Sequence, residues 1–253
     1  MSAVQPEQME EASSPDLILE ISVKKLDFKL LQSERQMGPM TDADIVSRSE
    51  YSLEESFLNQ SHLRLLQESA VSAEVRRARG YQTITTRSAL KGYGFSLNQC
   101  RPPALLIPIF DPRGRLVSYQ IRPDQPRIDC QAGALNYEIC PGRQSAIDVP
   151  PPSSGLLSDP GVPLYVTDEV IKADSAASHG LCCIALVSSS WLSDEHQGSY
   201  LNSDEWESIA LDGRTVRLIY DADSTDRAPV RDAFMHLRKF YWSRNARVQR
   251  INL

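Results

Sequence analysis

The sequence predicts a mixed protein of α/β and α+β class: a small parallel sheet with flanking helices, preceded by an α+β amino-terminal subdomain. Three observations lead there. From residue 161 onward, short apolar runs alternate with helix-length segments, the pattern that crossover connections and a parallel sheet produce. Between residues 93 and 150 the chain reads instead as strands and turns. A Pro-Pro-Pro-Ser-Ser-Gly run at 150–155 divides the two, because consecutive prolines join neither a helix nor a central strand.

Residues 1–15 are polar, acidic and poor in aromatic residues, so a flexible tail is expected there. The segment 17–31 alternates in part and suits a short strand or an amphipathic element. Residues 53–70 read as a helix, with an inward stripe at Leu53, Phe57, His62, Leu63, Leu65 and Leu66. Ser72 is placed to cap a second helix over 73–79 that stops at Gly80. The runs 103–110 and 116–121 flank Asp111-Pro-Arg-Gly114, a hairpin signal in which proline presets one turn residue and glycine allows the positive φ that closes it. Beyond the prolines come a strand at Leu164-Tyr-Val-Thr167, a helix over 170–179 ended by Gly180, and strands at 181–187 and 214–220. A helix over 228–243 and a strand at 247–253 complete the chain. The expected division is 1–58, 59–150, 151–160 as linker, and 161–253.

At 253 residues and 41% hydrophobic content the chain can bury a sizeable core. Its net charge of −6 argues against an all-over nucleic-acid-coating surface, yet leaves room for a local basic groove. No apolar run approaches the length of a membrane span. The cysteines at 100, 130, 140, 182 and 183 lack zinc-ribbon spacing, so no structural zinc is expected. Their odd number, without a secretion signal, points to the cytoplasm. Cys182 and Cys183 lie in an apolar strand and read as small buried thiols.

The chemistry concentrates at strand ends. Val216-Arg-Leu-Ile-Tyr220 runs into Asp221-Ala-Asp223, and Leu164-Tyr-Val-Thr167 runs into Asp168-Glu169. In an open α/β sheet, ligands bind outside the carboxyl ends of strands. Side chains at i and i+2 of an extended segment point the same way, so Asp221 and Asp223 can share a hard cation such as Mg²⁺. Alone, Asp-Ala-Asp-Ser suits a turn that caps the next helix equally well. The second acidic strand end favours the cation, because three or four carboxylates around one crevice repel each other without one.

Several blocks resemble a known family. The order of acidic strand end, helix, strand and Asp-x-Asp strand end is similar to that of Toprim domains, found in bacterial primases, topoisomerases and related nucleases. Val166-Thr-Asp-Glu-Val-Ile-Lys-Ala-Asp-Ser175 resembles the T-E-G-E-K-K-A-D-A signature of a Toprim-like domain of unknown function from replication proteins of plasmids, phages and other mobile elements. Ser69-Ala-Val-Ser-Ala-Glu-Val-Arg-Arg-Ala-Arg-Gly-Tyr81, Ala104-Leu-Leu-Ile-Pro-Ile109 and Gln120-x-Arg122-x-Asp124 resemble further blocks of that family, and echo the amino-terminal part of the primase polymerase core.

The resemblance implies that the first-strand acid, Asp168 or by a one-residue shift Glu169, assists proton transfer, with Lys172 as the basic position of the following helix and Asp174 as the acid after Lys-Ala. It implies that Asp221 and Asp223, with Asp168, hold Mg²⁺ or Mn²⁺. The implied activity is primer synthesis in replication of a mobile element, on single-stranded DNA with nucleotides and with a helicase as partner. Two alternatives stay open: a nucleic-acid-binding or helicase-docking module with impaired catalysis, because the family's Glu-Gly is here Asp168-Glu169, and a metal-dependent Toprim nuclease. Arg113, Arg115, Arg122 and Arg127, on or beside the hairpin, are the candidate nucleic-acid contacts, with Lys91 and Arg143 near in sequence. Arginine forks match phosphate oxygens. Arg76, Arg77 and Arg79 complement a helix dipole or touch DNA, and Trp191 is available for stacking.

Overall fold

The computed structural model describes residues 57–129, 133–141, 147–187, 204–220 and 228–252. The tail, the 17–31 segment, Cys130, Arg143, Trp191, Asp221 and Asp223 lie outside them. Among the described residues no helix is long and apolar enough to cross a membrane.

Helix α1 (Gln60–Glu68) starts after Asn59, whose side chain accepts the His62 N–H at 2.8 Å; residues 53–56 of the expected helix lie outside the described residues. Ser72 caps α2 (Ala73–Arg79), and Gly80, at φ 76°, ends it in the left-handed conformation. Strand β1 (Gln82–Ile84) and the short helix α3 (Arg87–Gly92) follow; neither had a strong periodic signal. Strands β2 (Ala104–Phe110) and β3 (Leu116–Pro123) form the expected hairpin. In its turn the Asp111 carboxylate accepts the N–H groups of Arg113 and Arg115 at 3.0 and 2.9 Å, while Gly114 takes φ 74°. A small ribbon, β4 (Arg127–Asp129) with β5 (Gly133–Leu135), and the short β6 (Glu138–Ile139) complete the amino-terminal half. Its sheet runs β1-β2-β3-β6, antiparallel throughout.

The second sheet contains β7 (Ile147–Asp148), β8 (Leu164–Thr167), β9 (Cys182–Leu186), β10 (Thr215–Tyr220) and β11 (Arg247–Asn252), in the order β11-β10-β8-β9-β7. Four strands are parallel, joined through α4 (Val170–Ser178) and α5 (Ala228–Ser243). The sheet is mixed rather than purely parallel, because β7, donated from before the prolines, pairs antiparallel with β9.

The polyproline segment corrects the expectation of an open linker. Pro151–Leu156 forms a 3₁₀ turn with proline at its first positions, where the missing N–H costs no helical bond. The wholly buried Arg214 fastens the end of that turn. Its guanidinium donates to the carbonyls of Leu156, Leu157, Val162 and Ala210 at 2.7–3.1 Å and to Cys182 Sγ at 3.4 Å.

Alternation along the strands sorts the side chains into layers. Leu164, Val166, Cys182, Ile184, Val216 and Leu218 pack beneath α5 with Trp206, Leu237 and Tyr241. On the opposite face Cys183, Ala185 and Val187 meet residues of α1, α2 and α4 and the β2 side chains Leu105, Ile107 and Ile109. The other side of β2, Ala104 and Leu106, packs with Ile84, Leu90, Phe95 and Ile121. Strand β2 is therefore buried on both faces, which accounts for its unbroken apolar run.

The basic end of α2 is a further correction. Arg79 is 1% exposed and lies between Asp148 of β7 and Asp174 of α4. It donates to Asp148 at 2.6 and 2.9 Å, through Nε to Asp174 at 2.9 Å, and to the Pro108 carbonyl at 3.1 Å. Tyr81 donates to Asp174 at 2.6 Å, and the Phe110 N–H to Asp148 at 3.0 Å. Arg76, also buried, donates to the Val71 carbonyl at 2.6 Å. Burial opposes the Arg79 charge, but the two carboxylates overcome it and hold the guanidinium's proton well above its ordinary range. Burial raises the Asp148 carboxyl against the pull of Arg79. Arg79 therefore faces the interior, where it joins the two halves, and Arg76 is buried beside Val71, while Arg77 is exposed.

Candidate active site

The parallel sheet reverses direction between β8 and β10: from β8 the chain passes to β9 on one side, then returns to β10 on the other. Such a switch point opens a crevice beyond the strand ends. Register aligns Leu218 with Val166. Beyond that pair β8 runs one residue further, to Thr167, and β10 two, to Tyr220. Asp221 follows Tyr220 by one peptide bond in the sequence; it and Asp223 lie outside the described residues.

Asp168 leaves β8 with its side chain 35% exposed. Its Oδ1 lies 3.2 Å from Lys172 Nζ in the first turn of α4 and accepts from Thr167 Oγ1 at 3.3 Å. Lys172 thus orients the acid one helical turn behind it. Glu169, with extended backbone, is the first flanking residue of α4 and does not cap the helix with its side chain. It acts electrostatically on Tyr137, in the connection between β5 and β6. The Tyr137 phenol is pushed up to about 12, by burial first and then by Glu169, against the opposing pull of Arg122 and Lys172. The Arg122 guanidinium lies 6.0 Å from the centre of the Tyr137 ring. Arg122 of β3 and Tyr137 thus lie within electrostatic reach of Glu169 and Lys172 at the start of α4.

The Gln120-x-Arg122-x-Asp124 block has a division of labour. Gln120 is buried. Asp124 is anchored by His62, whose Nε2 lies 2.7 Å from Asp124 Oδ1 and whose Nδ1 lies 2.7 Å from Thr83 Oγ1. Arg122, between them on β3, lies beside the Tyr137 ring. The other candidate arginines are distributed differently. Arg127 pairs with the buried Glu138 at 3.3 Å, close to Tyr137 in sequence. Arg113 reaches Ser208 Oγ at 3.2 Å and Arg115 pairs with Asp111 at 2.6 Å, both at the hairpin turn. Arg115 precedes Arg122 by seven positions along the hairpin, about 23 Å if extended, so the four do not form one patch. His179 ends α4, with Nδ1 2.8 Å from the Ser175 carbonyl oxygen. Burial raises the thiols of Cys182 and Cys183.

Tyr137 escaped sequence reasoning because a lone aromatic residue between two very short strands has no periodic partner. His62 offered a signal: a polar residue on an otherwise apolar helix stripe needs buried partners.

Residues 154–253 match the model of a protein family described as Domain of unknown function (DUF3854). Among solved structures, the zinc-binding and RNA polymerase domains of the Aquifex aeolicus primase superpose with a TM-score of 0.55 at 12% identity, covering 87% of this chain and 57% of that one. The fold is primase-like. The RNA polymerase domain of Mycobacterium tuberculosis primase DnaG gives a TM-score of 0.47 at 14% identity, over 79% of this chain and 73% of that one. No curated protein matches the chain in sequence. The primase-like core thus spans 57% of the Aquifex aeolicus chain it resembles.

Proposed function

We propose that this protein is a primase-like nucleotidyltransferase that joins nucleotides on a single-stranded DNA template during replication of a mobile element, beside a helicase. One observation carries the reading: the two neighbouring parallel strands at the switch point run only one and two residues past their Val166–Leu218 pair, β8 ending directly before Asp168 and β10 directly before Asp221 in the sequence. The donor set suits a hard cation, since Asp168 contributes a half-exposed carboxylate and Asp221 and Asp223 would supply further oxygen ligands. Mg²⁺, or Mn²⁺, held by these three residues would offset charge on the reacting phosphate oxygens.

Asp168 is the first-strand acid in this scheme, because Lys172 and Thr167 orient it, whereas Glu169 is coupled to Tyr137. Arg122 approaches from the opposite sheet and supplies a fork for a nucleotide's phosphates. The subdomain 59–150 would then cover the crevice and residues 161–253 would carry the acids.

The test is primer synthesis on single-stranded DNA with ribonucleotides and Mg²⁺. Wild-type protein should make product, and Asp221→Ala/Asp223→Ala should abolish it. Failure of the wild type to synthesise, or equal product from the variant, removes the polymerase reading. Metal-dependent plasmid nicking without synthesis would assign the same acids to a nuclease.

A further inference from the structure

We propose that the outer side of α5 and β11 is a track for the backbone of a single nucleic-acid strand, with Trp242 as the platform on which one base stacks. The choice of ligand rests on the nucleic-acid reading of the acidic edge; the track itself does not depend on catalysis there. In a chain of net charge −6, residues 228–253 hold six basic side chains against one acid. Three of these lie over aromatic rings of α5: Arg238 is 4.0 Å from the Trp242 centroid, Arg244 4.8 Å from Phe240, and Arg250 5.6 Å from Phe234. A guanidinium stacked on a ring keeps its N–H edge for a phosphate. Arg244 also pairs with Glu207 at 3.0 Å; among the described residues neither Arg238 nor Arg250 has a carboxylate partner.

Trp242 contributes little to the core. It is 52% exposed, while Leu237 and Tyr241 fill the inward side of α5. The row also has a direction. Arg250 is level with Leu218, two residues before β11 ends at Asn252, beside the sheet edge that bears Asp168. From there the row follows α5 from Phe234 past Arg238 to Trp242, about 12 Å. Charge complementarity selects a polyanion, and an exposed indole selects unpaired bases over a duplex, whose base faces are already stacked.

The experiment uses the full chain and a fluorescein-labelled (dT)20 strand, with anisotropy followed across a salt series. Arg238→Gln/Arg250→Gln should weaken binding on the order of tenfold and flatten the slope of log K against log salt by about 1.4, the release expected for two lost phosphate contacts. Trp242→Leu should reduce the quenching of tryptophan emission by the oligonucleotide. Unchanged affinity and slope in the double-arginine variant, undiminished quenching in Trp242→Leu, or tighter binding of a duplex of equal length would each overturn the track. If (dT)20 binding depends on the arginines while primer synthesis is absent, the track stands and the polymerase reading falls. If synthesis proceeds while the arginine variant binds normally, the track alone falls.

Discussion

Arg79→Met is the most informative change to the fold, because it removes the only cation of the Arg79–Asp148–Asp174 cluster and keeps a side chain of similar length. Both carboxylate partners have fully buried side chains. Removing one member of a buried ion pair costs about 3–5 kcal/mol. With two carboxylates stranded, the upper end applies, so the expected loss is about 5 kcal/mol. That is a large part of a typical domain stability of about 5–15 kcal/mol, and corresponds to a fall in Tm of about 10–20 °C at this chain length. The assay is urea unfolding followed by circular dichroism at pH 7 and pH 5. The sign of the pH effect is fixed. Burial already raises the Asp148 carboxyl, and loss of the cation raises it further. An acid whose folded pKa exceeds its unfolded value gives stability that is fullest below the unfolded pKa and is lost as pH rises through the folded one. The deficit of Arg79→Met relative to wild type should therefore be smaller at pH 5 than at pH 7, and Asp148→Asn added to it should restore part of the loss at pH 7. A deficit under about 1 kcal/mol at pH 7, or one equal at both pH values, would refute the claim that this arginine neutralises buried charge.

Two further outcomes concern the frame around the site. Arg214→Met removes the donors to four carbonyls around the 3₁₀ turn; at about 1–3 kcal/mol for a buried polar group left unpaired, a loss of about 3 kcal/mol or more is expected by urea unfolding, with earlier proteolysis near residues 156–162. In the hairpin, burial works against the Asp111 charge, but bonds from Arg115 and from the Arg113 and Arg115 N–H groups more than compensate and lower the carboxyl below its ordinary value. Its contribution is present above the unfolded pKa and lost as pH falls through the folded one, so Asp111→Asn should cost about 1 kcal/mol at pH 7, with a smaller difference from wild type in acid.

Elements with strong local punctuation were legible in the sequence. Ser72 and Gly80 bounded α2, Asp111-Pro-Arg-Gly114 turned the hairpin, and the parallel strands and α5 fell close to their expected residues. What escaped was decided by partners distant along the chain. The two-residue β7 has no pattern of its own and exists because β9 offers it an edge. The prolines looked like a linker because the Arg214 that binds the end of their turn lies about sixty residues away. At the candidate site, the acidic strand ends could be read from order and spacing. The meeting of Tyr137 with Glu169 and Arg122 could not, since it depends on how one sheet rests against the other. The signature itself splits: Asp168 and Lys172 reach the edge, while Asp174, two residues on, turns inward to Arg79.

That inward turn has a consequence for how this protein can be divided. The stretch that matches a family model, 154–253, contains Asp174 but neither Arg79 nor Tyr81, and it begins after β7. Excised at that boundary, the fragment would lose the counter-ion of Asp174, uncover the apolar face that α1, α2 and β2 shield, and bare the edge of β9. The stretch matched by sequence similarity is thus smaller than the packed unit, whose face and sheet edge the earlier half completes.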